Sequence, residues 1–371
     1  MARILGIDLN IHFSWILIFG LVLFTLSDRV FPEAYPFWSD QKTLLVAAVA
    51  AFLFFASVVA HELAHAVVAR IFRMKVSSIT LFLLGGVANL TEEPKSARSE
   101  FAMAIAGPAT SFALGGLGLL IEVVTTAPGL QPVQAVAGYL GAVNITLGIF
   151  NMVPGFPLDG GRVLRSLIWG LKKDRSVATR IAARGGQAVA VLLVLGGGYL
   201  VFRGSDTFGG TWYFLIAYFL YTSASSSLSA DRAAGSVRGA LVAGLMSTAL
   251  HAATPAMVIG TVVRDLVLPF DLRAVPVVVQ GSLVGLVFTA DLRNVAQEQW
   301  PVTPVSQVMH GVEGLPSLGP RDPLTRAMEL FGETEAPLLP VLEGTALVGL
   351  LTRDSLAGYI RMRETLGLAD R

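Results

Sequence analysis

The chain has 371 residues, 54% of them hydrophobic and 14% charged, with a mean hydropathy of +0.66. A soluble domain carries about 25% charged residues, so a chain this apolar reads as a membrane protein whose constant partner is the lipid bilayer. The net charge of +1 implies no nucleic-acid partner, and the absence of cysteine excludes disulfides and thiolate ligands, leaving His, Asp and Glu to hold any metal.

Hydropathy marks six candidate spans, at roughly 11–27, 43–70, 100–123, 136–153, 187–202 and 211–228. The first follows a short polar N-terminus and reads as a retained anchor, with His12 at the interface. The second begins with eighteen uncharged residues, Thr43 to Ala60, a run long enough to cross a bilayer. It leads directly into His61-Glu62-Leu63-Ala64-His65. Four residues apart on a helix, the two imidazoles share one face and can grip one Zn²⁺. Glu62 is placed to take a proton from an activated water. An ionised group inside an apolar helix is costly without such a role.

Residues 76–90 are rich in strand formers and interrupted by Gly85-Gly86. They are too short for a span and are expected to form a hairpin or a re-entrant segment beside the metal helix, packed on protein or lining a wet cavity. In the third span Gly107-Pro108 predicts a kink or a close helix contact.

The fourth span ends in Asn151-Met-Val-Pro-Gly-Phe-Pro-Leu-Asp-Gly-Gly-Arg162. Pro154 and Pro157 break the helix, and the glycines permit tight turns. Asp159 can reach a metal from this broken stretch, or it can cap the following helix. Two histidines and one carboxylate would leave a fourth position for water. Asn151 can hydrogen-bond a substrate or its developing oxyanion, and Asn144 is a second polar group suited to holding an unwound strand.

The segments between spans differ in charge. Residues 162–184, expected as a loop, carry seven Lys or Arg against Asp174 alone, and 70–98 carry Arg70, Arg73, Lys75, Lys95 and Arg98 against Glu92 and Glu93. The alternate loops hold only Arg29, Lys42 and Arg203 as basic residues. The positive-inside rule therefore predicts a multi-pass protein of the cell membrane with both termini and the soluble C-terminal part in the cytoplasm.

The pairing of HELAH with NMVPGFPLDGGR resembles the site-2 protease family of intramembrane zinc metalloproteases. Gly85-Gly86 and Gly107-Pro108-Ala109-Thr110-Ser111 are similar to further segments of that family. The resemblance implies one zinc per chain held by His61, His65 and Asp159. It also implies Glu62 as general base, Asn151 as an aid to binding or transition-state stabilisation, and a transmembrane protein as substrate.

After residue 230 the composition turns soluble. Pro276–Leu292 aligns with Pro340–Leu356 at a constant offset of 64, and each copy reads as strand, turn, strand, helix, preceded by a helical stretch. This resembles a tandem pair of CBS domains, which implies adenine-nucleotide binding and a homodimer contact. That family often carries G-x-x-T-x-x-D at the end of the second strand. Here the first copy has Phe288 in place of Thr and keeps Asp291, while the second keeps Thr352 and has Ser355 in place of Asp. Asp291 and Thr352 are the remaining candidate nucleotide contacts. His251 and His310 read as surface or loop residues.

The expected fold is therefore a mainly α membrane protein: six transmembrane helices with a short hairpin or re-entrant segment, then a soluble α+β CBS pair. The expected domains are 1–230, 240–300 and 301–365. The expected function is hydrolysis of a peptide bond in or near a transmembrane segment. The competing reading is a CBS-regulated transporter or channel with a structural or transport-related metal site. Glu62 discriminates, because such a site has no need of a base beside its first ligand.

Overall fold

The computed structural model describes residues 2–4, 6–74, 76–82, 85–90, 94–204, 207–334 and 336–368. The chain divides into two compact units, Met1–Ser229 and Ala230–Arg371.

In the first unit, strands β1 (Ala2–Ile4) and β2 (Ile7–Ile11) precede α1 (Ser14–Thr25), which continues through a wider turn into the short α2 (Phe31–Ala34). Next comes α3 (Asp40–Ile71), then β3 (Val76–Phe82) and β4 (Gly85–Leu90). The remaining helices are α4 (Ala97–Val124), α5 (Gln131–Asn151), α6 (Asp159–Lys172), α7 (Arg175–Phe202) and α8 (Thr207–Val237), the last continuing into the second unit. Among the described residues, five helices are long and apolar enough to cross a membrane: Ser14–Ala34, Asp40–Ile71, Ala97–Val124, Gln131–Asn151 and Arg175–Phe202. The sixth expected span lies inside α8, a helix of 31 residues.

The helix ends are written locally. Ser39 accepts from the Lys42 amide at the start of α3. Ser96 and Ser99 cap α4 reciprocally, satisfying amide donors that the first turn would leave orphaned. Residues 162–184 are not a loop. They are α6 and the first turns of α7, divided at Lys173 (φ +56°) and Asp174, whose Oδ1 accepts from the Val177 amide at 3.0 Å. Hydropathy marks apolar stretches only, and Arg and Lys are good helix formers. α6 buries Gly160, Gly161, Val163, Arg165 and Ser166.

The four-stranded sheet runs β1-β2-β3-β4. β2 is parallel to β3 (Leu9↔Ile79), and β3 is antiparallel to β4 (Leu81↔Gly86). The expected hairpin is thus paired as strands, with residues 83–84 outside the described set. The N-terminal strands were not expected, because their partner lies some seventy residues away. Ile7, Ile79 and Leu81 are buried against Ala66 of α3, which anchors the sheet on the His61–His65 stretch.

The broken segment after α5 lies against α7. The Phe156 amide donates to the Ala182 carbonyl at 3.1 Å. A Cβ on Gly186 would strike the Phe156 carbonyl oxygen and come within 2.9 Å of its carbon. Gly186→Ala is therefore expected to destabilise the protein by about 1–3 kcal/mol through overpacking, read as a lower Tm in detergent. Gly198→Ala on the same helix meets nothing within 4 Å and should leave Tm at or above wild type. Equal Tm values for the two variants would show that the loop does not need this close approach.

In the second unit, α9 (Ile259–Val262) and α10 (Leu268–Phe270) are joined by a wider turn and precede β5 (Ala274–Val279) and β6 (Ser282–Phe288). The two-residue strand β7 (His310–Gly311) and α11 (Leu324–Glu333) lead to β8 (Leu338–Glu343), β9 (Ala346–Thr352) and α12 (Arg353–Thr365). The repeat is visible in the register: Ala274 pairs Phe288 and Leu338 pairs Thr352, each 64 residues on, with bulges at Val277/Val278 and Val341/Leu342. The first copy departs from expectation after β6. Where α12 follows β9, only the turns Asp291–Asn294 and Gln297–Gln299 follow β6. At the 64-residue offset α12 would correspond to 289–301, so Pro301 falls only at its last position.

The starts of the two copies are exchanged. Leu241 bridges Pro323 and Ser247 bridges Leu350 in the second copy, while Val258 bridges Pro304 and β7 pairs with β6 in the first. The hairpins meet at Ser282↔Ala346. A shared core of Ala274, Leu283, Leu286, Leu338, Leu347 and Leu350 packs them together.

Candidate metal centre

His61 and His65 are 3% and 6% exposed on α3. Both Nδ1 atoms are held by α4: the His65 Nδ1–H donates to the Met103 carbonyl at 2.7 Å, and His61 Nδ1 is hydrogen-bonded to Ser111 Oγ at 2.8 Å. These bonds orient the rings and turn both Nε2 atoms to a common point. Asp159 Oδ2, from the first residue of α6, lies 3.2 Å from each Nε2. The three ligand atoms lie within 4.8 Å of one another. The sequence left Asp159 between ligand and helix cap; the fold brings its carboxylate to the two histidines.

The donor chemistry fits a zinc ion. A carbonyl can only accept, so the proton of a neutral His65 sits on Nδ1, and its Nε2 presents a lone pair to a carboxylate oxygen. A lone pair and a carboxylate oxygen at 3.2 Å attract only through a cation shared between them, either a ring proton or a metal ion. Two imidazoles and a carboxylate are a set that zinc accepts. Gly107 keeps the space open, since a Cβ there would come within 2.5 Å of His61 Nε2 and within 2.6 Å of His65 Cε1. The sequence predicts a kink or packing role for Gly107; its position facing both rings is a property of the α3–α4 contact.

Glu62, His61 and Asn151 line one cavity of about 430 Å³, closed also by Leu81, Phe82 and Gly86 of the hairpin. A Cβ on Gly86 would sit 2.5 Å from Glu62 Cγ, so the hairpin lies directly against the glutamate. Asn144 is elsewhere. It is 1% exposed, its Nδ2 donates to the Leu140 carbonyl, and it lines a separate apolar cleft of about 680 Å³ between α3, α4 and α5. Ser111 and the Met103 carbonyl went unassigned in the sequence, and a backbone oxygen carries no residue signature that could have flagged it.

The C-terminal candidates occupy equivalent ends of the two hairpins. His310 Nε2 donates to Asp291 Oδ2 at 2.7 Å, with the Phe288 ring beside it. The Thr352 hydroxyl accepts from the Ser355 amide as the cap of α12. His251 stacks on Phe270 at 3.6 Å between ring centres.

Residues 49–130 and 120–195 match Peptidase family M50. Rip3 of Mycobacterium tuberculosis, named as a zinc metalloprotease, is 35% identical over 370 residues, covering 97% of this chain and 92% of that protein. The CBS domain-containing protein YhcV of Bacillus subtilis is 34% identical over 103 residues, covering 27% of this chain and 71% of YhcV. The solved site-2 protease from Methanocaldococcus jannaschii is 30% identical, covering 62% of this chain and 94% of that one, with a TM-score of 0.43. The near-full-length match leaves no basis for the transporter reading. The chain belongs to peptidase family M50, the site-2 protease family of intramembrane zinc metalloproteases, and carries a pair of CBS domains after its membrane region.

Proposed function

We propose that His61, His65 and Asp159 hold one Zn²⁺ and that Glu62 is the general base for hydrolysis of a peptide bond in or beside a transmembrane segment of another protein. The observation that carries this assignment is the convergence of His61 Nε2, His65 Nε2 and Asp159 Oδ2 beside the Glu62 cavity. Bound there, zinc would polarise the scissile carbonyl and make water nucleophilic at neutral pH. The Glu62 carboxylate takes the proton of the attacking water and returns it to the leaving nitrogen. The Asn151 amide, in the same cavity, donates to the substrate carbonyl oxygen as charge develops there. The substrate must enter unwound, because a helical carbonyl is occupied by its own hydrogen bond.

In this reading α8 is the sixth span, residues 1–230 are the protease domain, and 240–300 and 301–365 are the CBS copies. His61 lies 21 residues into α3, roughly 30 Å along the helix at 1.5 Å per residue. This depth supports a site toward the basic end of the span, which we read by the positive-inside rule as the cytoplasmic side, with both termini on that side. The hairpin between α3 and α4 is a re-entrant piece, and the burial of Ile79 and Leu81 against α3 supports it. Asp159→Ala is expected to cut zinc content from about one per chain to a small fraction in the purified membrane protein. Wild-type zinc content in that variant would overturn the ligand assignment.

For the CBS pair we propose a regulatory or homodimer contact with weak adenine-nucleotide affinity. Asp291 is engaged by His310 and Thr352 by Ser355, so neither group is free for ribose or phosphate without losing a bond. Titration calorimetry of the whole chain with ATP and AMP is expected to give millimolar binding or none. Micromolar affinity for either would refute this and favour nucleotide gating, which would need different affinities in the two enzyme states.

A further inference from the structure

Two opposite charges are buried together near the ligand residues. Glu100, in the first turn of α4, is fully buried, and Arg165 of α6 is 9% exposed. Arg165 Nε donates to Glu100 Oε1 at 2.7 Å, and its Nη2 donates to the same oxygen. Glu100 Oε2 has no hydrogen-bond partner among the described residues, so Arg165 supplies the carboxylate's hydrogen bonds, while the nearby Arg162 adds a second positive charge to the group. Taking both charges out of water is costly, and the packing of α4 against α6 would not by itself require it.

Each side of the pair leads to a different ligand. Glu100 is one turn before Met103, whose carbonyl fixes the His65 ring. Arg165 is six residues after Asp159 in the same short helix. The guanidinium also lies over the Phe156 ring at 4.9 Å, three residues before Asp159, and the Phe156 amide is tied to α7. The pair therefore joins the backbone that orients His65 to the backbone that carries Asp159, on both sides of Asp159.

We propose that Glu100 and Arg165 are positioning residues: their ion pair sets the separation of Asp159 from His65, and so the affinity and geometry of the metal site. Neither touches the substrate or the metal. The inference rests on the ligand assignment proposed above. Glu100→Gln keeps the shape but removes the charge. Arg165→Lys keeps the charge but cannot place two donors on one oxygen.

The test compares Glu100→Gln, Arg165→Lys, Asp159→Ala and Leu26→Ala with wild type in detergent. Leu26, 1% exposed, belongs to a cluster with α3 residues Val46–Ala51, at least ten positions from His61, and controls for general loosening. Zinc affinity is measured by chelator competition, and site geometry by the visible absorption of the Co²⁺-substituted protein. Glu100→Gln and Arg165→Lys are expected to lose about 10- to 100-fold in zinc affinity with an altered Co²⁺ spectrum, while Leu26→Ala keeps both. If Glu100→Gln fails to fold, Arg165→Lys carries the same comparison. Wild-type affinity and spectrum in the folded variants would overturn the proposal, as would an equal change in Leu26→Ala. Retained affinity in Asp159→Ala would instead overturn the ligand assignment, so the two failures are distinguishable.

Discussion

Glu62→Gln is expected to leave zinc content and folding unchanged while reducing peptide-bond hydrolysis by about 10²- to 10⁴-fold, the contribution of a positioned general base. Gln has the shape of Glu, so the side chain still fits beneath Gly86, whose absent Cβ is what lets the hairpin approach Glu62 Cγ. The amide oxygen can accept a hydrogen bond but cannot hold a proton at neutral pH, so the water keeps its proton and the leaving nitrogen receives none. His61 and His65 keep their partners on α4, because neither Met103 nor Ser111 touches position 62 through a hydrogen bond. The measurement is cleavage of a single-span membrane protein that the wild type cuts, with zinc assayed on the same preparation. Near-wild-type cleavage with full zinc would exclude Glu62 as the base. Loss of zinc together with activity would mean that Glu62 helps hold the metal.

The features legible in the sequence were those whose physics is local or periodic. His61, Glu62 and His65 share one helix, and a four-residue spacing is enough to place two rings on one face. Five long apolar helices follow from apolar length, and the C-terminal hairpins from a pattern repeated 64 residues on, with the bulge repeated as well. The missed features depend on contacts between distant segments. β2 is too short to declare itself, and it forms because β3 offers an edge. The Met103 carbonyl that orients His65 is an atom every residue possesses. Arg165 reads in sequence as one more charge of a basic loop; only the packing of α6 on α4 brings it to Glu100. Asp159 was intermediate: Pro154 and Pro157 announced a broken helix, but which way its carboxylate points is decided by α7, against which the loop is pressed.

Gly107→Ala is expected to abolish stoichiometric zinc binding, although the substitution lies in the middle of a helix that ordinarily gains about 1 kcal/mol from Ala over Gly. The reason is the direction of the new methyl. It would come within 2.5 Å of His61 Nε2 and within 2.6 Å of His65 Cε1, displacing the ring atoms that face Asp159. The rings cannot retreat without giving up the Ser111 and Met103 hydrogen bonds, both of which come from the helix that carries residue 107. Either the rings turn and the ligand atoms diverge, or α4 moves away from α3 and takes those partners with it. In both cases the convergent set is lost. Gly116→Ala, nine residues along the same helix, meets nothing within 4 Å and should keep one zinc per chain with unchanged or slightly higher Tm. The pair of variants separates helix propensity from steric exclusion at the site. Full zinc occupancy in Gly107→Ala would mean that the histidines and α4 can part by more than a methyl radius, and that the ligand geometry is set elsewhere.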